Sequence, residues 1–134
     1  MKNNNNLQTY CQMLLVIMAL PYLVKSAVPH VDPSHVILLG SRLCRSSNSP
    51  GQLIVSASKR TLQSFAGSLF FERRNDGIKV ALINPGPEKF EAVDLATALL
   101  FPLNVGPTTC VETVDLGTVN PSKSIPQPVC CCSA

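Results

Sequence analysis

The sequence predicts an all-β fold, a small antiparallel sandwich or barrel-like domain that ends in an extended tail rich in proline and cysteine. Ile78, Val80 and Leu82 alternate with other residues, as expected for a strand with one buried face. Short apolar or β-branched runs also recur between turn-forming sequences such as "SSNSPG" and "NPGP". Several short strands separated by turns are typical of sandwiches and barrels.

The first 26 residues have the pattern of a secretory signal peptide. Lys2 precedes an apolar run from Met13 to Val24 that is broken by Pro21, and small residues follow that run. The run has about 12 residues, whereas a membrane-spanning helix needs roughly 20, so we expect no membrane association. We place the cleavage site after Ser26, which predicts a secreted, extracellular protein. The remaining chain has 134 − 26 = 108 residues, a common size for one domain.

Residues 27–34 are predicted to form an extended leader before a β domain at residues 35–117. The leader and the start of the first strand hold His30, Asp32 and His35, which could suggest a metal site. Pro29 lacks the amide hydrogen that copper binding at a free N-terminus needs, so a solvated leader is the better interpretation. We therefore expect no metal and no cofactor.

The predicted strands of the β domain follow the apolar runs in chain order. They lie at residues 35–39, 52–57, 61–72 as one strand or two, 77–83 and 109–116. Asp76-Gly77 marks a turn, because glycine accepts a positive φ without steric cost.

Residues 88–101 allow two interpretations. Their glutamate, alanine and leucine content favours a helix, and Pro87 suits a first helical turn. Alternation from Val93 to Phe101 also suits a strand.

The cysteines suggest disulfides if the protein is secreted. Cys11 would leave with the signal peptide, and the disulfide candidates are Cys44, Cys110, Cys130, Cys131 and Cys132. Five is an odd number, so at least one thiol stays free or joins another chain, and a disulfide-linked homodimer is one outcome. Cys44 could pair with Cys110, or each could pair with a cysteine of the Pro-rich tail at residues 118–134. The sequence leaves both connectivities open.

Charge and motifs exclude several functions. Removal of Lys2 and Lys25 lowers the basic residues from 11 to 9 against 8 acidic ones, a net charge of about +1. This is too small for a nucleic-acid-binding footprint. Both histidines lie in or beside the leader, and nothing in the sequence indicates that Asp94 and Asp115 meet. No nucleophile turn or phosphate-binding glycine loop is present, so we expect no catalytic residues and no enzyme. The dibasic pairs Lys59-Arg60 and Arg73-Arg74 could be cut in a peptide precursor, but polar strand ends are the better explanation, because both pairs lie between apolar strand-like runs.

Three short segments carry a family resemblance. They are Leu39-Gly40-Ser41-Arg42, the turn Asn84-Pro85-Gly86-Pro87, and the stretch from Leu103-Asn104-Val105 to Val114-Asp115-Leu116-Gly117. Over roughly residues 35–117 the chain resembles the insect family named multiprotein bridging factor two, whose members commonly begin with a secretion signal. The turn departs from that family's Gly-Gly-Pro-Gly tendency, Leu116 replaces an aromatic residue, and the cysteine tail has no counterpart. The resemblance implies a strand at residues 88–101, which we adopt, and no catalytic residue.

The sequence thus predicts a small secreted, non-enzymatic binding or interaction protein stabilised by disulfides, whose partner is an unknown protein or small ligand. Two alternatives remain. One is a transcriptional co-activator-like protein, as the family name implies, and the other is a secreted peptide precursor cut at its dibasic pairs.

Overall fold

The computed structural model describes residues 4–45, 51–86 and 90–117. Its helices are α1 (Asn4–Ser26), α2 (Leu53–Arg73) and α3 (Ala92–Leu100), and its strands are β1 (Ser34–Leu39), β2 (Ile78–Pro85) and β3 (Thr113–Leu116). Three short 3-10 turns lie at Arg42–Cys44, Arg74–Asp76 and Phe101–Leu103. The tail at residues 118–134, with Cys130, Cys131 and Cys132, lies outside the described residues.

The three strands form one parallel sheet in the order β1-β2-β3. Helix α2 connects the first two strands and α3 connects the last two, which gives a continuous βαβαβ unit. The predicted all-β antiparallel fold is therefore wrong, and the protein has an α/β fold. Parallel neighbours require crossover connections, so the turn at Asp76-Gly77 joins a helix to a strand instead of closing a hairpin. Asn84 and Pro85, which were predicted to begin a turn, are the last two residues of β2.

Helix α2 replaces the strands that the sequence predicted at residues 52–57 and 61–72. Its buried residues are Ser58, Leu62, Ala66 and Leu69, spaced four, four and three residues apart. This spacing places them on one face of a helix, where they pack against the sheet. The β-branched and aromatic residues of this segment led to the prediction of strands. The burial of one helical face against the sheet instead stabilises a helix.

Strand β2 is the centre of the sheet and is buried from Ile78 to Asn84. Both faces of a parallel sheet are covered, so buried residues appear consecutively along its central strand. Lys79 is buried only because its Nζ donates hydrogen bonds to the carbonyl oxygens of Val105 (3.4 Å) and Gly106 (2.6 Å). The strand predicted at residues 77–83 is thus present, but it has no solvent-facing side.

Helix α3 decides the ambiguity at residues 88–101. The strand adopted from the family resemblance is wrong, because Ala92–Leu100 is helical and its Ala98 is buried. The helix that composition favoured is the one that forms. A helix is also what the topology needs here, since β2 and β3 are parallel neighbours.

Helix α1 covers most of the predicted signal peptide and packs on the rest of the domain. Met13, Val16, Leu20 and Leu23 contact the hydrophobic core that α2 forms with the sheet. The Gln12 side chain accepts a hydrogen bond from the Leu39 amide (3.1 Å) and donates one to the Leu39 carbonyl (3.4 Å). Among the described residues, 7–26 form the one helix long and apolar enough to cross a membrane, a property that signal sequences share. Secretion stays a prediction.

Candidate functional site

The carboxyl ends of the strands form the edge of the sheet where ligands bind in open parallel α/β proteins. We define the carboxyl edge here as Ser41 after β1, Asn84 near the end of β2, and Asp115 near the end of β3, with the Arg42–Cys44 turn and the start of α2 beside them. Polar groups from distant parts of the sequence meet there because all three strands run in the same direction. The sequence analysis singled out none of these three residues as a site.

Ser41 lies directly after β1 and caps the Arg42–Cys44 turn. Its Oγ accepts a hydrogen bond from the amide of Leu43 at 3.2 Å. That contact fixes the oxygen and uses one of its acceptor positions, while the hydroxyl hydrogen stays available. Ser41 is partly exposed, so it can donate that hydrogen to an oxygen atom of a bound molecule.

Asn84 connects the ends of the three strands. Its Nδ2 donates a hydrogen bond to Asp115 Oδ1 at 3.0 Å, and Asp115 Oδ2 forms an ion pair with Arg45 at 2.6 Å. Asn84 Oδ1 is buried without a hydrogen-bond partner among the described residues. It lies so close to Gly40 that a Cβ atom on that glycine would overlap with it. The network therefore fixes the geometry of the edge and requires glycine at position 40.

Lys59 is a partly buried lysine in the first half of α2. The helix meets the turn after β1 through Ser56 Oγ, which donates to the Leu43 carbonyl (3.0 Å), and Arg60 Nε, which donates to the Cys44 carbonyl (3.0 Å). Lys59 lies between these two anchors in the sequence, and it has no hydrogen-bond or ion-pair partner among the described residues. Burial lowers the pKa of Lys59 from its ordinary value. A lysine in this condition can exchange a proton more readily near neutral pH than an exposed one.

The cysteines of the domain are not joined. Cys44 and Cys110 are both free thiols, so the predicted pairing between them does not form. Burial, with a smaller contribution from the Asp115 carboxylate, raises the pKa of Cys44 against the opposing charges of Arg45 and Arg60. Burial also raises the pKa of Cys110, whose Sγ donates to the Val80 carbonyl at 3.5 Å. Thiols with raised pKa values are poor nucleophiles, which assigns both to packing.

The histidines of the predicted leader do not form a metal centre. Within residues 4–45, 51–86 and 90–117, no group of three or more His, Cys, Asp or Glu side chains could hold a metal ion. The leader itself is a tight turn closed by a bridge between Val28 and Asp32, with His30 at a φ of 63°. His35 belongs to β1, and its pKa is lowered by burial first and by the Lys79 charge second.

A cavity of about 630 Å³ lies between α3 and β3. Its walls include Phe90, Ala98, Phe101, Val114 and Leu116, and its polar side chains are Asp94 and Thr97. Its volume is within the range of small-molecule sites in proteins. The sequence indicated none of this, because the wall is assembled from two elements that were expected to be strands.

The carboxyl edge could not be predicted from the sequence alone. Ser41 and Asn84 belong to no short motif, and the parallel topology alone places them at one edge. One local signal existed: Gly40-Ser41 and Pro85-Gly86 each follow a buried apolar run, as loops at the carboxyl ends of parallel strands do. Recognising α2 as a crossover helix would have connected the two segments.

No family model and no curated protein matches the chain. The resemblance to multiprotein bridging factor two therefore stays a prediction. The fold comparison is informative, because two solved dehydrogenase structures are similar to the chain.

One similar structure is a protein from Corynebacterium glutamicum assigned to the short-chain dehydrogenases/reductases. It is 27% identical with a TM-score of 0.62, and the match covers 78% of this chain and 49% of that protein. The second is serine dehydrogenase from Escherichia coli, which is 18% identical with a TM-score of 0.65 over 78% of this chain and 46% of that protein. The chain thus spans about half the length of each.

These similarities overturn the predicted function. The predicted binding protein stabilised by disulfides is wrong, because the described cysteines are unpaired and the fold is similar to that of two dehydrogenases. The co-activator and peptide-precursor alternatives fall with it, and Lys59-Arg60 lies inside α2, where a protease would first have to unwind the helix. By fold, the chain is similar to one half of a short-chain dehydrogenase.

Proposed function

We propose that the chain is one βαβαβ half of a dehydrogenase/reductase-type domain, and that it binds a small hydroxyl or carbonyl compound at its carboxyl edge. One observation carries the proposal. The parallel β1-β2-β3 sheet with its two crossover helices agrees with two dehydrogenases over 78% of the chain. Doubly wound folds of this kind consist of two such units and bind ligands outside the carboxyl ends of their strands.

The roles of the side chains follow from their surroundings. Ser41 donates its hydroxyl hydrogen to the substrate oxygen, since its own oxygen is held by the Leu43 amide. Lys59 supplies a proton to that oxygen during reduction or removes one during oxidation, because burial lowers its pKa towards the working range. Asn84, Asp115 and Arg45 hold the ends of the strands in place beside them.

A dehydrogenase reaction also needs a hydride carrier, which a nicotinamide cofactor supplies when bound. The residues present do not fit its pyrophosphate group. The dinucleotide fold places that group on a glycine-rich turn, and none of the seven glycines in this sequence forms a G-x-G pair. The space above Gly40, the glycine that directly follows β1, is filled by Asn84 Oδ1. The described residues therefore provide the substrate side of a site and no phosphate cradle.

The test combines activity and binding on the full chain. Purified protein is mixed with NADH or NADPH and a panel of short aldehydes and ketones, and the absorbance of the reduced nicotinamide is followed. Any conversion of a carbonyl compound should fall by about two orders of magnitude in Lys59→Met, because Lys59 is the proposed proton donor. Lys25→Met, which removes an exposed lysine at the end of α1, is the matched control and should leave conversion unchanged.

A second candidate is ligand binding without catalysis, which agrees with the sequence prediction that the chain is not an enzyme. The missing phosphate cradle favours it. Saturable binding of the same carbonyl compounds without conversion, weakened in Ser41→Ala, would support this candidate against the first. Absence of both conversion and binding would refute both.

A further inference from the structure

The cavity between α3 and β3 has a charge pattern that selects its ligand. Four of its walls are large apolar side chains: Phe90, Phe101, Val114 and Leu116. Among the described residues that line it there is no lysine, arginine or histidine. Within that described lining, the carboxylate of Asp94, in the first turn of α3, is the one charged group.

Asp94 has an unused carboxylate. Within the described part of the chain it makes no side-chain hydrogen bond and no ion pair, whereas Asp76 and Asp115 each pair with an arginine. The other polar side chain, Thr97, donates its hydroxyl hydrogen to the Val93 carbonyl at 2.8 Å inside the helix. The described lining of the cavity therefore offers acceptor oxygens and no free side-chain hydrogen-bond donor.

We propose that this cavity binds a compact organic ammonium ion whose aromatic or branched aliphatic body packs against the two phenylalanines. The apolar body would be taken out of water by Phe90, Phe101 and Leu116. The ammonium group would donate to Asp94, a charge-assisted contact that a neutral or anionic ligand of the same shape cannot make. The faces of the phenylalanine rings add a weaker attraction for the same cation.

Arg42 is a basic residue at the end of β3. Its guanidinium donates to the Leu116 carbonyl at 3.5 Å and lies beside Gly117, but Arg42 is not among the described residues that line the cavity. The test therefore includes an anion as well as a cation. The inference stands apart from the proposed function, because it concerns binding between α3 and β3 and needs no hydride transfer.

The experiment uses three probes of similar shape and different charge. Titrations of the full chain with 2-phenylethylamine, 2-phenylethanol and phenylacetate are followed by NMR, through the amide signals of α3 and β3. We expect the amine to bind about fivefold more tightly than the alcohol, the upper range for a partly exposed ion pair, and phenylacetate to bind most weakly. The advantage of the amine should shrink in high salt, because the carboxylate is exposed.

Two variants and a control identify the residues. Asp94→Asn should remove most of the preference for the amine over the alcohol, and Phe101→Ala should weaken the binding of both. Glu91→Gln removes a neighbouring carboxylate that does not line the cavity, so it should leave the fivefold preference in place. Equal binding of amine and phenylacetate, an unchanged preference in Asp94→Asn, or no binding of any probe would each overturn the inference. Amine binding in a chain that converts no carbonyl compound would still support it.

Discussion

The contact between Gly40 and Asn84 makes a quantitative prediction about stability. Gly40 has an ordinary backbone conformation, since Gly51 and Gly77 are the described glycines with positive φ. Alanine at position 40 is therefore not strained by its backbone. Its Cβ would instead overlap with Asn84 Oδ1 and come within 3.1 Å of Leu82 Cδ1.

The cost of Gly40→Ala can be judged from these neighbours. Both are buried, and Asn84 is held by its hydrogen bond to Asp115, so neither can move without loss. Overpacking of this kind costs about 1–3 kcal/mol. Asn84→Ala alone loses a hydrogen bond to a charged group, about 1.5–3 kcal/mol, but it vacates the space that the new Cβ needs.

The assay is equilibrium urea unfolding of the wild type, both single variants and the double variant. We expect the double variant to be at least about 1 kcal/mol more stable than the sum of the two losses predicts. Gly67→Ala is the control, because nothing lies within 4 Å of its added Cβ, and alanine in an exposed helix should stabilise by about 0.5–1 kcal/mol. Additive losses, or a Gly40→Ala variant as stable as the wild type, would refute the steric reasoning.

Further predictions concern the core, pH and thiols. Leu62 is fully buried in α2, so Leu62→Ala should lower the free energy of unfolding in urea by about 2–5 kcal/mol. Leu53 is 78% exposed, so Leu53→Ala should change it by under about 0.5 kcal/mol. Similar losses in the two variants would contradict the assigned buried face of the helix. Folding lowers the pKa of His35, so the unfolded chain binds more protons below about pH 6.5, and the free energy of unfolding should decrease as pH falls through that range. Thermal unfolding at pH 7 and pH 5 measures this, and His35→Gln should flatten the dependence. Cys44 is buried and Cys11 is exposed, so under native conditions Cys44 should react with an alkylating reagent at least about tenfold more slowly. Mass spectrometry of peptides measures the two rates. Equal rates would show that the turn after β1 is open.

Local pattern was enough to find the strands but not how they are connected. The strands predicted at residues 35–39, 77–83 and 109–116 overlap β1, β2 and β3. Their parallel order could not be inferred without recognising the crossovers, and both crossovers were interpreted as strands. In α2 the aromatic and β-branched residues favoured a strand locally, whereas burial of Leu62, Ala66 and Leu69 against the sheet stabilises the helix.

The candidate site was even harder to predict from the sequence than the fold. Ser41 and Asn84 are separated by 43 positions in the sequence, and only the pairing of β1 with β2 brings their strand ends together. The sequence identified Lys59 only as half of a dibasic pair. Its neighbours in the sequence do not indicate that its side chain is partly buried. The disulfide expectation rested on the compartment inferred from residues 1–26, so it could be no better founded than that inference.

The two hydrogen bonds between Gln12 and Leu39 have a consequence for any event that removes helix α1. Backbone groups alternate in direction along a strand, so those of His35 and Ile37 face the same outer border as Leu39. The side-chain amide of Gln12 thus makes the pair of hydrogen bonds that a neighbouring strand would make at one residue of the outer edge of β1. Loss of the helix would leave an apolar strand ready to recruit a strand from another molecule, and self-association into insoluble material would follow.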